Sequence, residues 1–288
     1  MQILMKSIFT GLGFGLAFWC AGFVLRVPEA GVLTQNRSSR PTPTISGPSF
    51  PLGEKCTYLV SWKVFDAGIA TIDLVDRYHA QNEELYRIRA TVRSTGIVAT
   101  LFTVFDTFES NIAVASLCSR GISKNIHEGR RQRNTVLEFD QKGQQARMVD
   151  TDLSHPGLPP KHSESPIPPC VQDVISAFYF VRTKDLRVDE TFRFPINDGG
   201  KTYDVDVEVQ AVETVKTPAG TFQAYRLEPK VFGGLFKNKG RLFVWLTNDT
   251  ERIPVQLRAR ITVGTITASL SRIEKSPTIQ ASPKKSQN

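Results

Sequence analysis

Hydrophobic and polar residues alternate along most of the chain between residues 53 and 274. The alternation is clearest in residues 56–64, 203–209 and 253–263, and a period of two is typical of a strand with one buried and one solvated face. Turn-forming residues separate such stretches, at 66–68, 128–130, 197–201, 217–221 and 248–252. The pattern predicts about ten to twelve antiparallel strands joined by hairpins, in an open or rolled-up β-barrel.

One segment, residues 170–182, has a helical period instead. Its apolar residues recur three and four positions apart, at Val171, Val174, Ile175, Phe178 and Val181. Tyr179 and Phe180 make a second flank apolar as well, and a helix that is apolar on more than one face is usually buried. We therefore predict that this helix fills the hollow of a strongly curved sheet, with Val174, Ile175 and Phe178 facing the strands.

The two ends of the chain lack the alternation. Residues 1–30 contain a lysine followed by 19 uncharged residues, which predicts a signal peptide or an N-terminal membrane anchor. Residues 31–52 are rich in proline and serine and are predicted to be a disordered linker, and residues 275–288 are predicted to be a disordered tail. The remainder, 53–274, is predicted to be a single β-roll domain. The leader places this domain in the periplasm or outside the cell, or anchors it to the inner membrane if it is retained.

The chain carries a formal net charge of +8, from 36 basic and 28 acidic residues. Seven of the basic residues and one acidic residue lie outside residues 53–274, which leaves 29 basic and 27 acidic residues in the domain. A nearly neutral domain has no general attraction for polyanions. We therefore expect no nucleic acid partner.

Six blocks of the domain carry a family resemblance. They are residues 53–74, 105–110, 171–182, 194–209, 217–229 and 233–257. In this order they resemble the bacterial envelope family known as domain of unknown function 3108. The resemblance implies a secreted or periplasmic all-β protein with one buried helix: a spiral antiparallel β-roll, or half-open barrel, wrapped around that helix. This architecture is similar to that of periplasmic lipoprotein carriers and other half-open barrels that hold acyl chains.

The family has no established activity, so the function is predicted from the architecture. We expect a non-enzymatic protein of the cell envelope that binds a hydrophobic or lipidic ligand in a cleft of the β-roll. The alternative is a structural or assembly scaffold that acts through contacts with another envelope protein. In either case membrane contact is expected only through the N-terminal segment, if it is not cleaved. The residues predicted to line the cleft are Val174, Ile175, Phe178, Tyr179, Phe180, Trp62 and Trp245.

Catalytic and metal-binding patterns are weak in this sequence. The four histidines lack the spacing of a metal site, and Ser176 lacks the glycines that flank the nucleophile of an α/β-hydrolase. Asp106 and Glu109 lie three residues apart on one predicted strand, so their side chains point to opposite faces and do not form a glycosidase pair. The prediction is a protein that is not an enzyme and has no metal site and no cofactor.

A group of basic residues flanks the turn at 128–130. If residues 118–128 and 131–140 form a hairpin, its tip gathers Lys124, Arg130, Arg131 and Arg133. One interpretation is a charged hairpin that resists aggregation. The other is a surface that contacts the phosphates of lipid headgroups.

Three cysteines remain after removal of the leader. Cys56 lies on the apolar face of the first predicted strand and is predicted to be a buried thiol. In an oxidising compartment we predict a disulfide between Cys118 and Cys170. Three unpaired thiols are the alternative.

Overall fold

The computed structural model describes residues 50–80, 82–231, 240–261 and 264–275. The predicted leader, most of the predicted linker and nearly all of the predicted tail lie outside the described residues. Phe50 falls within the predicted linker, yet its side chain is buried and packs edge-on against Tyr179, with the ring centroids 5.0 Å apart. The packed domain therefore begins before residue 53.

Within the described residues, fourteen strands form one antiparallel sheet, and the predicted all-β class is confirmed. The strands are β1 (Lys55–Trp62), β2 (Phe65–Ala80), β3 (Glu83–Ser94), β4 (Phe105–Ala113), β5 (Ser119–Glu128), β6 (Arg131–Asp140), β7 (Gln145–Asp152), β8 (Lys161–Pro166), β9 (Thr191–Asp198), β10 (Lys201–Thr217), β11 (Gly220–Val231), β12 (Arg241–Thr247), β13 (Pro254–Ile261) and β14 (Gly264–Glu274). Two short helices interrupt them, α1 (Gly96–Leu101) and α2 (Ser176–Arg182). There are more strands than predicted, because an exposed polar strand such as β8 has no alternation to reveal it.

The order of the strands makes the sheet a half-open roll. Strands β1 to β8 follow one another on one side, β9 to β14 follow one another on the other side, and β1 pairs with β14 between them. The two free edges are therefore β8 and β9, and the chain passes from one edge to the other through residues 167–190. This crossing segment contains α2, which places the helix between the two walls of the roll.

Helix α2 contacts both walls. Ile175 and Tyr179 pack in a cluster built on β2 to β7, whereas Ala177 and Val181 pack in a cluster built on β9 to β12. Phe178 is half-buried and contacts both clusters. The central position of the helix agrees with the prediction. Its extent does not, because the helix begins only at Ser176 rather than near residue 170.

A buried carboxylate determines where the helix begins. The Oδ1 atom of Asp173 accepts hydrogen bonds from the backbone N–H groups of Ile175 and Ser176, at 2.7 and 3.0 Å. Its Oδ2 atom accepts the hydroxyl protons of Ser110 on β4 and Ser119 on β5, each at 2.6 Å. Asp173 thus caps the turn that leads into α2 and fixes that turn to the sheet, because a buried carboxylate requires such donors.

A second buried contact fixes the other end of the helix. Arg182 donates two hydrogen bonds to the carboxylate of Glu54, at 2.6 and 2.9 Å, and both side chains are 3% exposed. The guanidinium also lies over the rings of Phe50 and Tyr179, 4.8 and 5.2 Å from their centroids. Burial by itself lowers the pKa of Arg182, but its contact with Glu54 outweighs burial and raises that pKa. The pair joins the end of α2 to the start of β1.

We predict that Glu54→Gln lowers the free energy of unfolding by about 3–5 kcal/mol, because it leaves the charge of Arg182 buried without a counterion. The matched control is Glu84→Gln, which removes the partner of Arg77 in a similar two-point contact on the surface. Ion pairs exposed to solvent contribute little to the free energy of unfolding, so the control variant should keep the wild-type urea midpoint. Equal effects of the two substitutions would contradict the role given to the buried pair.

Candidate functional site

Alternate turns of the sheet gather at one end of the roll. In antiparallel strands the β1–β2 turn, the connection from β3 to β4, and the β5–β6 and β7–β8 turns lie on the same side. The pairings agree with this: Trp62 is opposite Phe65, Val104 is bridged to Glu128, and Arg133 is opposite Asp152. The connection from β3 to β4 contains α1, and we call this end of the roll the α1 end.

An apolar pocket of about 470 Å³ opens at the α1 end. Strand residues Val60, Trp62, Val92 and Val104 form one wall, and Ile97, Val98, Leu101 and Phe102 form the other. Its volume lies within the range of about 300–1,000 Å³ that is usual for sites of small ligands. We call this cavity the α1 pocket.

Helix α1 covers this pocket loosely. No residue of the helix is buried, and the side chains of Ile97 and Leu101 are 80% and 61% exposed. The segment that follows is better fixed: the N–H of Gly129 donates to the carbonyl of Thr103, at 2.8 Å. The ring of Phe102 lies so close to Gly129 that a Cβ atom there would be 3.0 Å from it. An apolar helix with this exposure resembles a cover over a cavity more than a part of the core.

A second apolar cavity, of about 240 Å³, lies between α2 and strands β9 to β12. We call it the α2 pocket; its walls include Val174, Phe178, Val205, Leu227, Leu242 and Val244. Asp198 and Tyr203 form its polar end, and Lys124 of β5 makes a buried ion pair with Asp198. Burial raises the pKa of Asp198, and Lys124 opposes this shift. The α2 pocket is smaller than most ligand sites.

The structure does not bring the seven predicted cleft residues together in one cavity. Val174 and Phe178 line the α2 pocket. Ile175 and Tyr179 are buried in the cluster on β2 to β7, and the ring of Phe180 packs against Phe194.

The two tryptophans lie apart from α2. Trp62 lines the α1 pocket, at the end of β1. Trp245 lies on the face of β12 opposite to Val244 and is buried in a third cluster. Its indole N–H donates to Glu213, at 2.6 Å. Sequence alternation shows that a strand has two faces but does not show which cavity either face meets, and β12 is buried on both.

The four basic residues of the predicted surface do not form one exposed cluster. Lys124 is buried against Asp198, and Arg131 and Arg133 pair with Glu128 and Asp150, at 2.9 and 3.5 Å. Strands β5 and β6 form the predicted hairpin, but their alternate residues face the concave side of the sheet, where these acids lie. Arg130, in the turn, stays exposed with no ion pair to a described carboxylate.

The cysteines are arranged as the sequence predicted. Cys118 and Cys170 form a disulfide that ties the crossing segment to the start of β5. Cys56 is a buried free thiol, and burial, aided by Glu54, raises its pKa to about 11. A thiol in this state is unreactive in the folded protein.

Two features of the α1 end are not evident in the sequence. One is α1 itself, since its six residues are too few to show a period. The other is the burial of Asp106, which is fully buried two residues along the chain from the pocket residue Val104. Its Oδ1 atom accepts the N–H of His127, at 2.9 Å, and no described group hydrogen bonds to its Oδ2 atom. Burial, together with the nearby charge of Glu128, raises the pKa of Asp106 to about 7.

Comparison with known proteins places the chain in a family. Residues 57–271 match the family described as protein of unknown function DUF3108. The chain belongs to this family. The resemblance read from the six blocks is thereby confirmed, and DUF3108 itself carries no assigned function. No curated protein matches the sequence of this chain.

Comparison with solved structures gives matches at low sequence identity. A β-barrel-like protein of domain of unknown function DUF1849 from Brucella abortus has a TM-score of 0.53 and 8% identity, over 79% of this chain and 99% of that one. This likeness shows the fold alone. A candidate exported protein with a YmcC-like fold from Bacteroides fragilis has a TM-score of 0.35 and 11% identity, over 78% of this chain and 98% of that one. A candidate lipoprotein from Parabacteroides distasonis has a TM-score of 0.32 and 10% identity, over 78% of this chain and 97% of that one.

Two observations hold for the part of the chain that the structure describes. In that part, no three His, Cys, Asp or Glu side chains lie close enough together to hold a metal ion. None of its helices has the length and apolar character needed to cross a bilayer.

We predict that Asp106→Asn stabilises the protein at pH 8 and has little effect at pH 4. The folded-state pKa of Asp106, about 7, lies above its ordinary value of 3.8, so the folded protein holds this proton more tightly than the unfolded chain does. The stability that results is present below about pH 4 and is lost as the pH rises through 7. The gain at pH 8 is at most about 4 kcal/mol, since one pKa unit corresponds to about 1.4 kcal/mol.

Urea unfolding at both pH values measures this effect. Asp66→Asn, at an exposed carboxylate of the same end, is the control and should show no pH-dependent gain. A gain for Asp106→Asn that is as large at pH 4 as at pH 8 would show that the burial of its charge is not the cause.

Proposed function

We propose that this protein is a non-enzymatic envelope protein that binds an apolar ligand, such as an acyl chain, in the α1 pocket. The observation that carries the proposal is the pocket itself, a cavity of about 470 Å³ with apolar walls that is open to solvent beneath an exposed apolar helix. Burial of apolar surface drives binding at about 25 cal/mol per Å², so an apolar chain gains most from such a cavity.

The contents of the pocket favour binding over catalysis. Val60, Val92 and Val104 bring no reactive group to the cavity, and the charged residues in its walls, Asp66 and Arg93, are exposed. Asp106 is buried behind Val104 and is absent from the lining of the pocket. The hydroxyl of Ser94, which also lines the pocket, accepts a hydrogen bond from the N–H of Val104, at 2.9 Å. The pocket therefore offers an acyl chain an apolar surface with no charged group in its interior.

An envelope location is supported by two observations. The disulfide between Cys118 and Cys170 is of a kind that persists in oxidising compartments and is rare in the cytosol. The sequence of residues 1–30 has the composition of an export signal or anchor.

The alternative function, a scaffold that recruits another protein by strand addition, has less support. Of the two free edges, β8 is the exposed one, and it carries Lys161, Glu164 and Pro166. Charged residues and proline are the features by which natural sheets block pairing at an edge. The other edge, β9, is partly covered, since Gln172 bridges to Ile196.

Uptake of a fluorescent long-chain fatty acid tests the proposal. Val92→Phe, which places extra side-chain volume in the α1 pocket, should lower the affinity at least tenfold while the urea midpoint changes little. Val174→Phe makes the same change in the α2 pocket and should leave the affinity near that of the wild type. Loss of uptake with Val174→Phe alone would assign the ligand to the α2 pocket. An absence of uptake by the wild type would overturn the proposal.

Thiol trapping tests the location. In protein made with its own leader, Cys118 and Cys170 should resist alkylation in the unfolded chain until a reductant is added. In protein made in the cytoplasm without residues 1–30, both should be alkylated directly. Cys56 is the internal control, because it should react in both samples once the chain is unfolded. Free Cys118 in the exported protein would contradict an oxidising location.

A further inference from the structure

Exposed apolar side chains concentrate at the α1 end. Among the described residues, eleven large hydrophobic side chains are exposed, and seven of them lie at this end. They are Val64 and Phe65 in the first hairpin, Ile97 and Leu101 on α1, Phe105 at the start of β4, and Leu153 and Leu158 after β7. Monomeric soluble proteins rarely expose such a patch unless it meets a partner.

Basic residues without an acidic partner lie at the same end. Five exposed lysines and arginines there form no ion pair with a described carboxylate, and one exposed acid, Asp66, does not pair either, which leaves an excess of four positive charges. The five basic residues are Lys63, Arg93, Arg130, Lys161 and Arg260. Elsewhere on the domain, by contrast, many arginines pair with an acid on the neighbouring strand, as Arg89 does with Glu109.

We infer that the α1 end docks on an anionic phospholipid surface. Phe65, Ile97 and Leu101 enter the boundary between headgroups and acyl chains, and the surrounding cations contact lipid phosphates. An apolar tip with a basic rim is the pattern of proteins that bind at membrane interfaces. Basic residues near an anionic leaflet are attracted to it, and their contributions add.

The shape of the patch favours a lipid surface over a protein partner. Its apolar side chains project from separate turns, and Val64 and Ile97 are 87% and 80% exposed. A protein partner needs fixed recesses that match such side chains, whereas a fluid bilayer accepts them without matching. The inference does not depend on what the α1 pocket binds. If the proposed function is also correct, an acyl chain can enter the pocket from the bilayer without crossing water.

The test places a tryptophan at the docking surface of the full-length chain. Ile97→Trp should be quenched by brominated phosphatidylglycerol vesicles well beyond the quenching of the native tryptophans. The matched control is Val188→Trp, which replaces an exposed valine before the start of β9, at the opposite end of the roll. It should show no added quenching. Because the readout is specific to one position, attachment of the chain through residues 1–30 does not imitate it.

Charge reversal tests the basic rim. In the Ile97→Trp background, Arg93→Glu with Arg130→Glu should weaken the vesicle affinity at least tenfold, and high salt should do the same. Lys142→Glu with Lys216→Glu changes as many exposed charges at the opposite end and should have little effect. Vesicles of zwitterionic phosphatidylcholine should quench Ile97→Trp weakly.

Three results would overturn the inference. They are the absence of added quenching at residue 97, equal quenching at residues 97 and 188, and equal quenching by anionic and zwitterionic vesicles. Adding Val92→Phe to Ile97→Trp should leave the quenching unchanged. A failure of fatty-acid uptake and a failure of docking are therefore distinguishable.

Discussion

A helix of seven residues cannot hold its shape or position through its own hydrogen bonds, so the roll depends on the two buried carboxylates that fix the ends of α2. Asp173 holds the start of the helix to β4 and β5. Glu54 holds its end to β1 through Arg182. The disulfide at Cys170 restrains the segment that leads into the helix. These contacts are local and polar, and they determine where the apolar side chains of the helix pack against the sheet.

The length of the helix explains why the roll contains cavities. Seven residues of α-helix span about 10 Å, whereas the twelve residues of β3 span about 40 Å. A plug of this size fills the hollow between the two walls over only part of its length. Towards the α1 end, among the described residues, α1 covers the hollow, and α1 contributes no buried residue. The α1 pocket is therefore the space that the central helix does not reach.

This relation also shows what the sequence can and cannot predict. Alternation depends on burial of one face, so β1, β10 and β13 were predictable, whereas β8, exposed on both faces, was not. The helical period of residues 170–182 predicted a central helix. It overestimated the length, because Val171 and Val174 keep a helical spacing in a segment that the hydrogen bonds of Asp173 hold as a turn.

The candidate site could not be predicted from the sequence, because it is formed by tertiary contacts that no local sequence pattern indicates. Val60, Val92 and Val104 are ordinary strand residues in the sequence, and they form a pocket because the roll leaves them uncovered. Lys124 and Arg133 looked like exposed cations because they stand beside a turn. Lys124 instead faces Asp198 on the other wall of the roll, and the pairing of β6 with β7 places Arg133 beside Asp150. Sheet curvature, strand pairing and the distance that α2 reaches determine these outcomes, and none of them is a property of adjacent residues.

The position of Phe50, the first described residue, bears on how the α1 end meets a membrane. Phe50 packs beside Arg182 and the start of β1, and the eight residues of β1 separate it by about 26 Å from the α1 end. The chain therefore enters the roll at the end opposite to the proposed docking surface. Nineteen residues, 31–49, connect a retained leader to Phe50, and such a length of chain can reach at most about 65 Å. That reach exceeds the length of β3, about 40 Å. Even a chain anchored through residues 1–30 can thus turn its α1 end towards the membrane that holds it, so anchoring and docking are compatible in one molecule.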